Sequence, residues 1–425
     1  MNLKLKLIIM NFLQFAVWGS YLTSMGGYLY AEGYQHLIGW FYAMQGVVSI
    51  FMPAIMGIIA DKWVPAQRLL GFCHGMAALF IAGAGYFGFS HQLTPMFVMY
   101  SLSVAFYMPT LALSNSVAYT ALEQGGYDTI KAFPPIRVFG TVGFIVAMLV
   151  CDFAGFQANY MQFYQCAIIG ITLALYAQLL PHCPVSNSSG KKSFAQRLGL
   201  DAFKLFKSKQ MALFFIFSML LGVSLQITNG FANGFITSFK NLPEFANTFG
   251  ANHANALISL SQVSETLCIL LIPFFLKRFG IKNVMLIAMF AWVLRFGLFG
   301  LGNPGTGLWM FILSMIVYGV AFDFFNISGS LYVNDNTSGE MRSSAQGLFM
   351  IMTNGIGATI GTLGAQAIVN RFVPATIENA EKVVTNGAAV AEGWSHTWLI
   401  FAGYALVVAV MFAIMFRYKH QPEVK

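Results

Sequence analysis

Apolar runs of about twenty residues recur from one end of this chain to the other. Each is long enough to cross about 30 Å of hydrocarbon as a helix, and in lipid only helices and closed barrels satisfy every backbone group. A barrel would need strands of about 10 residues with alternating polarity, and these runs neither alternate nor stop so early. They fall at about 5–30, 36–60, 68–90, 94–121, 134–155, 160–181, 210–239, 252–276, 281–302, 307–333, 341–371 and 394–417. The expected fold is an all-α membrane protein with twelve transmembrane helices. The first run lacks a small-residue cleavage site behind a short apolar core, so it reads as a retained helix and not as a signal peptide.

Composition agrees with that reading where it bears on partners. Only 9% of residues are charged, yet the formal net charge is +8. In a soluble protein that excess would suggest nucleic acid. Here eighteen of the 23 lysines and arginines fall on one side of the twelve-span layout. Lys240, Arg371 and Lys382 fall on the other, and Arg137 and Arg295 lie within spans. The positive-inside bias therefore places both termini in the cytoplasm, with the bilayer and not nucleic acid as the partner of the basic segments. Five cysteines (Cys73, Cys151, Cys166, Cys183, Cys268) show no paired spacing, so neither a disulfide framework nor a metal cluster follows.

The longest polar break on the cytoplasmic side, residues 182–209, separates six spans from six. This predicts a first bundle over 1–181, a linker over 182–209 and a second bundle over 210–425. From Phe194 to Lys209 the linker places Phe194, Leu198, Leu205 and Phe206 on one side and Arg197, Lys204 and Lys207 on others, as an amphipathic helix at the lipid surface would. The gap at 372–393, with Glu378, Glu381 and Glu392, reads as a surface insertion. Two halves with a polar linker resemble the plan of the major facilitator superfamily, whose substrate site lies near the midplane between its repeats. Gly57, Asp61 and Lys62 match the start of that superfamily's loop signature, whose later Gly-Arg pair is absent.

Four ionisable residues sit well inside spans: Arg137, Glu265, Arg295 and Asp323. Each costs about 2.5–3.5 kcal/mol to insert at a helix centre, so apolar residues would serve stability better. Their neighbours lie at helical spacing. Arg137, Thr141 and Phe144 form an i, i+4, i+7 stripe; Gln226 and Asn229, and Gln262 and Glu265, are i, i+3 pairs; Tyr318 and Phe322 are i, i+4, with Asp323 beside them and Asn326 one turn on. A dry helix seam would use small residues instead. Arg295 has no such companions and reads as a structural partner for a carboxylate or a helix end. Asp152, near a span end, is expected to reach water. Gln14 and Trp18 are i, i+4 on the first span and stand as second-tier site candidates, since an aromatic near a helix centre more often packs than stacks on a ligand; His74, in the third span, reads as a structural histidine.

The expected cavity offers amides with paired donors and acceptors, a carboxylate for hydroxyls and flat aromatic faces. That suits a neutral ligand with a planar ring and a polyol, and a nucleoside and a sugar fit it about equally. Poor hydration disfavours the charged form of a carboxylate. Glu265 or Asp323 could therefore take up a proton on one side and release it on the other, with the proton gradient as energy source and no cofactor. Glu265, next to Gln262, reads as the holder of ligand hydroxyls, and Asp323, on the Phe-rich turn "AFDFFN", as the better proton carrier.

Four long strings carry a closer resemblance: "FPPIRVFGTVGFI", "FFIFSMLLGVSLQITN", "SQVSETLCILLIPFFLKRFGIKNVM" and "SMIVYGVAFDFFNISGS". They resemble the bacterial nucleoside:proton symporters, and the likeness runs from "LQFAVWGSYL" to "WLIFAGY". The resemblance implies an inner-membrane importer with a nucleoside site on Arg137, Thr141, Phe144, Gln226, Asn229, Gln262, Glu265, Tyr318 and Phe322, and with Asp323 in proton coupling. A monomer is the expected state for this fold. A channel would need no titrating pair, and an intramembrane hydrolase would need a nucleophile-base pair or metal motif, of which no HExxH or GxSxG string appears. A non-transporting receptor would bind ligand without accumulating it.

Overall fold

The computed structural model describes residues 2–185, 200–337, 342–374 and 386–418, and these residues form helices with no strand among them. The first half carries α1 (Leu3–Gly19), α2 (Met25–Ala31), α3 (Ile38–Lys62), α4 (Ala66–Phe89), α5 (Leu93–Gln124), α6 (Thr129–Phe153) and α7 (Met161–Tyr176). The second carries α8 (Lys209–Ser238), α9 (Ala254–Leu301), α10 (Leu308–Asp335), α11 (Arg342–Met350), α12 (Ala358–Phe372) and α13 (Gly387–Met415). Nine continuous helical stretches among the described residues are long and apolar enough to cross a membrane, α11 and α12 counting as one through the π-helix between them. One of them, α9, is broken at Gly280, whose φ of 74° and ψ of 166° suit only glycine. It therefore supplies two crossings, 254–279 (α9a) and 281–301 (α9b). The shorter α1 with α2, and α7, supply the first and sixth, which completes twelve.

Three expected spans differ in detail. The first is interrupted at residues 20–24, between α1 and α2. The sixth ends as α-helix at Tyr176 and closes in a tighter turn over Ala177–Leu179. The eleventh widens to a π-helix over Ile351–Gly357, between α11 and α12. Of the linker, residues 186–199 lie outside the described residues, as do 375–385 of the outer insertion and the side chain of Asp61. Leu200–Lys207 winds as a 3₁₀ helix. There Phe203 stacks on Phe206 and Phe206 on Phe215 of α8, while Lys204 and Lys207 are exposed.

The chain forms two compact units. One joins Met1–Tyr28 to the residues from Met44 up to the linker, and the other joins Leu29–Ala43 to the residues beyond it. In the second unit the start of α3 is fixed by Gln366, whose amide oxygen accepts from Gly39 N at 2.6 Å and whose nitrogen donates to Gln35 O at 2.9 Å.

Small residues set the helix spacing in each unit, as expected where lipid provides no hydrophobic drive for helices to associate. In the first, a methyl group on Gly143 of α6 would lie 2.1 Å from Phe12 O of α1, and one on Gly19 would lie 2.4 Å from Phe144 O. In the second, Gly222 of α8 approaches the backbone of Thr353, and Gly319 of α10 approaches that of Ser264 of α9a. Around Phe235, the rings of Phe299, Phe311, Trp394 and Trp398 pack within 5.8 Å, centroid to centroid, and close one end of the second unit.

Candidate functional site

In the first unit the candidate residues share the α6 face that meets α1. Because Gly140 and Gly143 carry no side chain, the Arg137 guanidinium can settle over the Phe15 ring, with Cζ 3.8 Å from its centroid. A flat cation on an aromatic face keeps its fork of donors directed outward. Thr141 is half-buried one turn on, and Phe144 is buried edge-on against Trp18, with centroids 6.4 Å apart.

Behind Trp18 lies a buried polar network that residue spacing did not reveal. Gln14 Nε2 donates to Thr110 Oγ1 at 2.7 Å, and Tyr107 OH donates to Gln14 O at 2.9 Å. His74 Nε2 lies 2.7 Å from Gln14 Oε1, and since that amide oxygen can only accept, the His74 hydrogen is on Nε2. The structural role expected of His74 agrees with this bond, and Gln14, a second-tier site candidate in the sequence, is engaged by His74 and Thr110. Asp152 differs from expectation: it is buried and accepts from Gln157 Nε2 at 3.0 Å, so a local amide takes the place of water.

In the second unit three helices bring candidates together. On α8, Asn229 Nδ2 donates to Gln226 Oε1 at 2.8 Å, which leaves the Asn229 oxygen and the Gln226 nitrogen for other partners. On α9a, Gln262 and Glu265 are half-buried one turn apart. On α10, Tyr318 and Phe322 stack in parallel, with centroids 5.7 Å apart and planes 3° apart. Two features lock α9a to α10. The Gly319 contact brings the backbones together, and the Ser264 hydroxyl donates to the Ile316 carbonyl. Glu265, adjacent to Ser264, and Asp323, one turn beyond Gly319, consequently lie within electrostatic reach of each other.

Asp323 is only 5% exposed, and its Oδ2 has no hydrogen-bond partner among the described residues. A buried carboxylate oxygen without a donor is unfavourable when charged and acceptable when it carries a proton. The geometry is suited to a group that changes protonation state. Arg295 is also buried; of the two structural partners expected for it, a carboxylate or a helix end, no carboxylate pairs with it among the described residues. Its Nη1 donates instead to Ser314 O at 2.7 Å.

The family described as Nucleoside H+ symporter matches residues 1–421. The chain belongs to the nucleoside H+ symporter family. It is 46% identical over 427 residues to the nucleoside permease NupG of Escherichia coli (strain K12), which covers 99% of this chain and 97% of that protein. It is 45% identical over 431 residues to the xanthosine permease of the same organism, covering 100% of this chain and 98% of the relative. The crystal structure of the nucleoside transporter NupG superposes with a TM-score of 0.88 at 45% identity, over 99% of this chain and 100% of that one. Membership decides between the two ligand classes that residue chemistry left level. The chain is a proton-coupled nucleoside transporter of the major facilitator fold, not an enzyme, and the sugar alternative falls away.

Proposed function

We propose that nucleoside binds on Arg137, Thr141, Phe144, Gln226, Asn229, Gln262, Glu265, Tyr318 and Phe322, and that Asp323 carries the coupling proton. The observation that carries this reading is the buried Asp323 carboxylate, with an oxygen that has no hydrogen-bond partner among the described residues, within electrostatic reach of Glu265. Two carboxylates so placed can share a proton, and gaining or losing it changes the charge presented to the ligand. The amides match the donors and acceptors of a nucleobase, the Tyr318–Phe322 stack gives it a flat face, and Glu265 accepts from ribose hydroxyls. Alternating access then moves nucleoside and proton inward together, as a monomer in the bacterial inner membrane with both termini cytoplasmic. The eighteen-to-three charge bias supports that orientation.

The test is uptake of labelled uridine and adenosine into proteoliposomes with and without an inward proton gradient. Gradient-dependent accumulation is expected. Equilibration unaffected by the gradient would contradict the reading.

A further inference from the structure

Arg295 is 2% exposed in the middle of α9b, and no carboxylate pairs with it among the described residues. Burying an unpaired cation is unfavourable, and a well-packed apolar residue is often at least as stable in such a place. Its contacts indicate what the charge is for. The guanidinium lies over Tyr318, with Cζ 4.6 Å from the ring centroid, and Phe299 flanks it at 5.2 Å. The ring of Tyr318 in turn stacks on Phe322. Nη1 donates to Ser314 O of α10 at 2.7 Å and approaches Ser261 Oγ of α9a at 3.4 Å, next to Gln262. Ser314 Oγ donates back to Arg295 O at 3.0 Å. One side chain thus holds the turns of two helices that carry Gln262, Tyr318 and Phe322, and it lies against the ring that backs the aromatic face. Its Nη1 makes those hydrogen bonds while its Nε has no hydrogen-bond partner among the described residues, so hydrogen bonding uses only part of the guanidinium that lies against the ring.

We infer that Arg295 is a positioning residue for nucleoside recognition: it fixes the Tyr318 ring, and through it the Tyr318–Phe322 stack, as the platform for the base. This rests on the proposed role of Tyr318 in binding. A role in helix packing alone would let Arg295→Met change stability, through the lost bond to Ser314 O, while leaving KM unchanged.

The experiment is a double-mutant cycle on uridine uptake in proteoliposomes with Arg295→Met, Tyr318→Ala and the pair, each checked for folding by thermal melting. Arg295→Met is expected to raise KM roughly 5–30-fold with the maximal rate near parental, the range of a desolvated cation–ring contact. On top of Tyr318→Ala it should add no more than about twofold, because residues acting through one contact are not additive. Unchanged KM in Arg295→Met, or its full factor persisting without the Tyr318 ring, would overturn the inference and leave the binding site intact. Parental KM in Tyr318→Ala would remove both the site role of Tyr318 and the inference. Should Arg295→Met fail to fold, Arg295→Lys carries the same cycle: a smaller rise in KM that vanishes with Tyr318→Ala supports the inference, and a rise that persists overturns it.

Discussion

Gly319 of α10 lies so close to Ser264 of α9a that a methyl group there would sit 2.6 Å from the Ser264 carbonyl oxygen. The contact sets the distance between the turn that carries Glu265 and the turn that carries Tyr318, Phe322 and Asp323. Gly319→Ala is therefore expected to destabilise the protein by about 1–3 kcal/mol through overpacking and to weaken uridine binding along with it. Gly297→Ala is the control, since a methyl group there meets nothing within 4 Å. Thermal melting and calorimetry on both variants check this. A Gly319→Ala protein as stable as the parent would mean that the helix spacing is not set at this contact.

The three amides are expected to contribute separately. Gln226→Ala, Asn229→Ala and Gln262→Ala should each weaken uridine binding by about 0.5–1.5 kcal/mol, the usual size of one neutral hydrogen bond. Gln226→Ala should also affect what Asn229 does, because Asn229 Nδ2 now donates to the Gln226 oxygen at 2.8 Å. Calorimetry on folded variants decides. Unchanged affinity in all three would move the ligand elsewhere.

Arg137→Lys should not restore function. The guanidinium lies flat over Phe15 at 3.8 Å. A lysine ammonium, a point charge on a flexible stem, gives up the flat stacking and the forked donors together. Uridine affinity is expected to fall on the order of tenfold, measured by binding at equal expression. Near-parental affinity would reduce Arg137 to a source of positive charge.

How far the sequence could be read follows from where the information lies along it. The crossings were legible because membrane insertion is local: a run of apolar residues carries its own requirement. The faces bearing Arg137, Thr141 and Phe144, or Gln262 and Glu265, were legible for the same reason, since helical spacing is fixed within one run. Contacts between runs were not. Arg295 finds Ser261, Ser314 and Tyr318 on two other crossings, and no spacing on α9b points to them. Gln14 and His74 are 60 residues apart, and Gln14 and Thr110 are 96 apart, so their network exists only once the helices pack. The π-helix at Ile351–Gly357 was not legible either; in the fold it packs closely against α8, with Gly222 against the Thr353 backbone and Gly357 against that of Met219. Asp152 was misread because the amide that takes the place of water, Gln157, lies past the end of α6.

On the proposed function, Asp323 carries the proton while Glu265 holds the ligand. Asp323→Asn imitates the protonated acid and abolishes its titration, and Glu265→Gln does the same at the second carboxylate. The decisive measurement compares uridine counterflow with proton-driven uptake for both variants, reconstituted at equal density. Asp323→Asn is expected to exchange uridine at a rate near parental and to show no accumulation under an inward proton gradient, whereas Glu265→Gln should lose exchange as well. Accumulation by Asp323→Asn at the parental level would contradict the account.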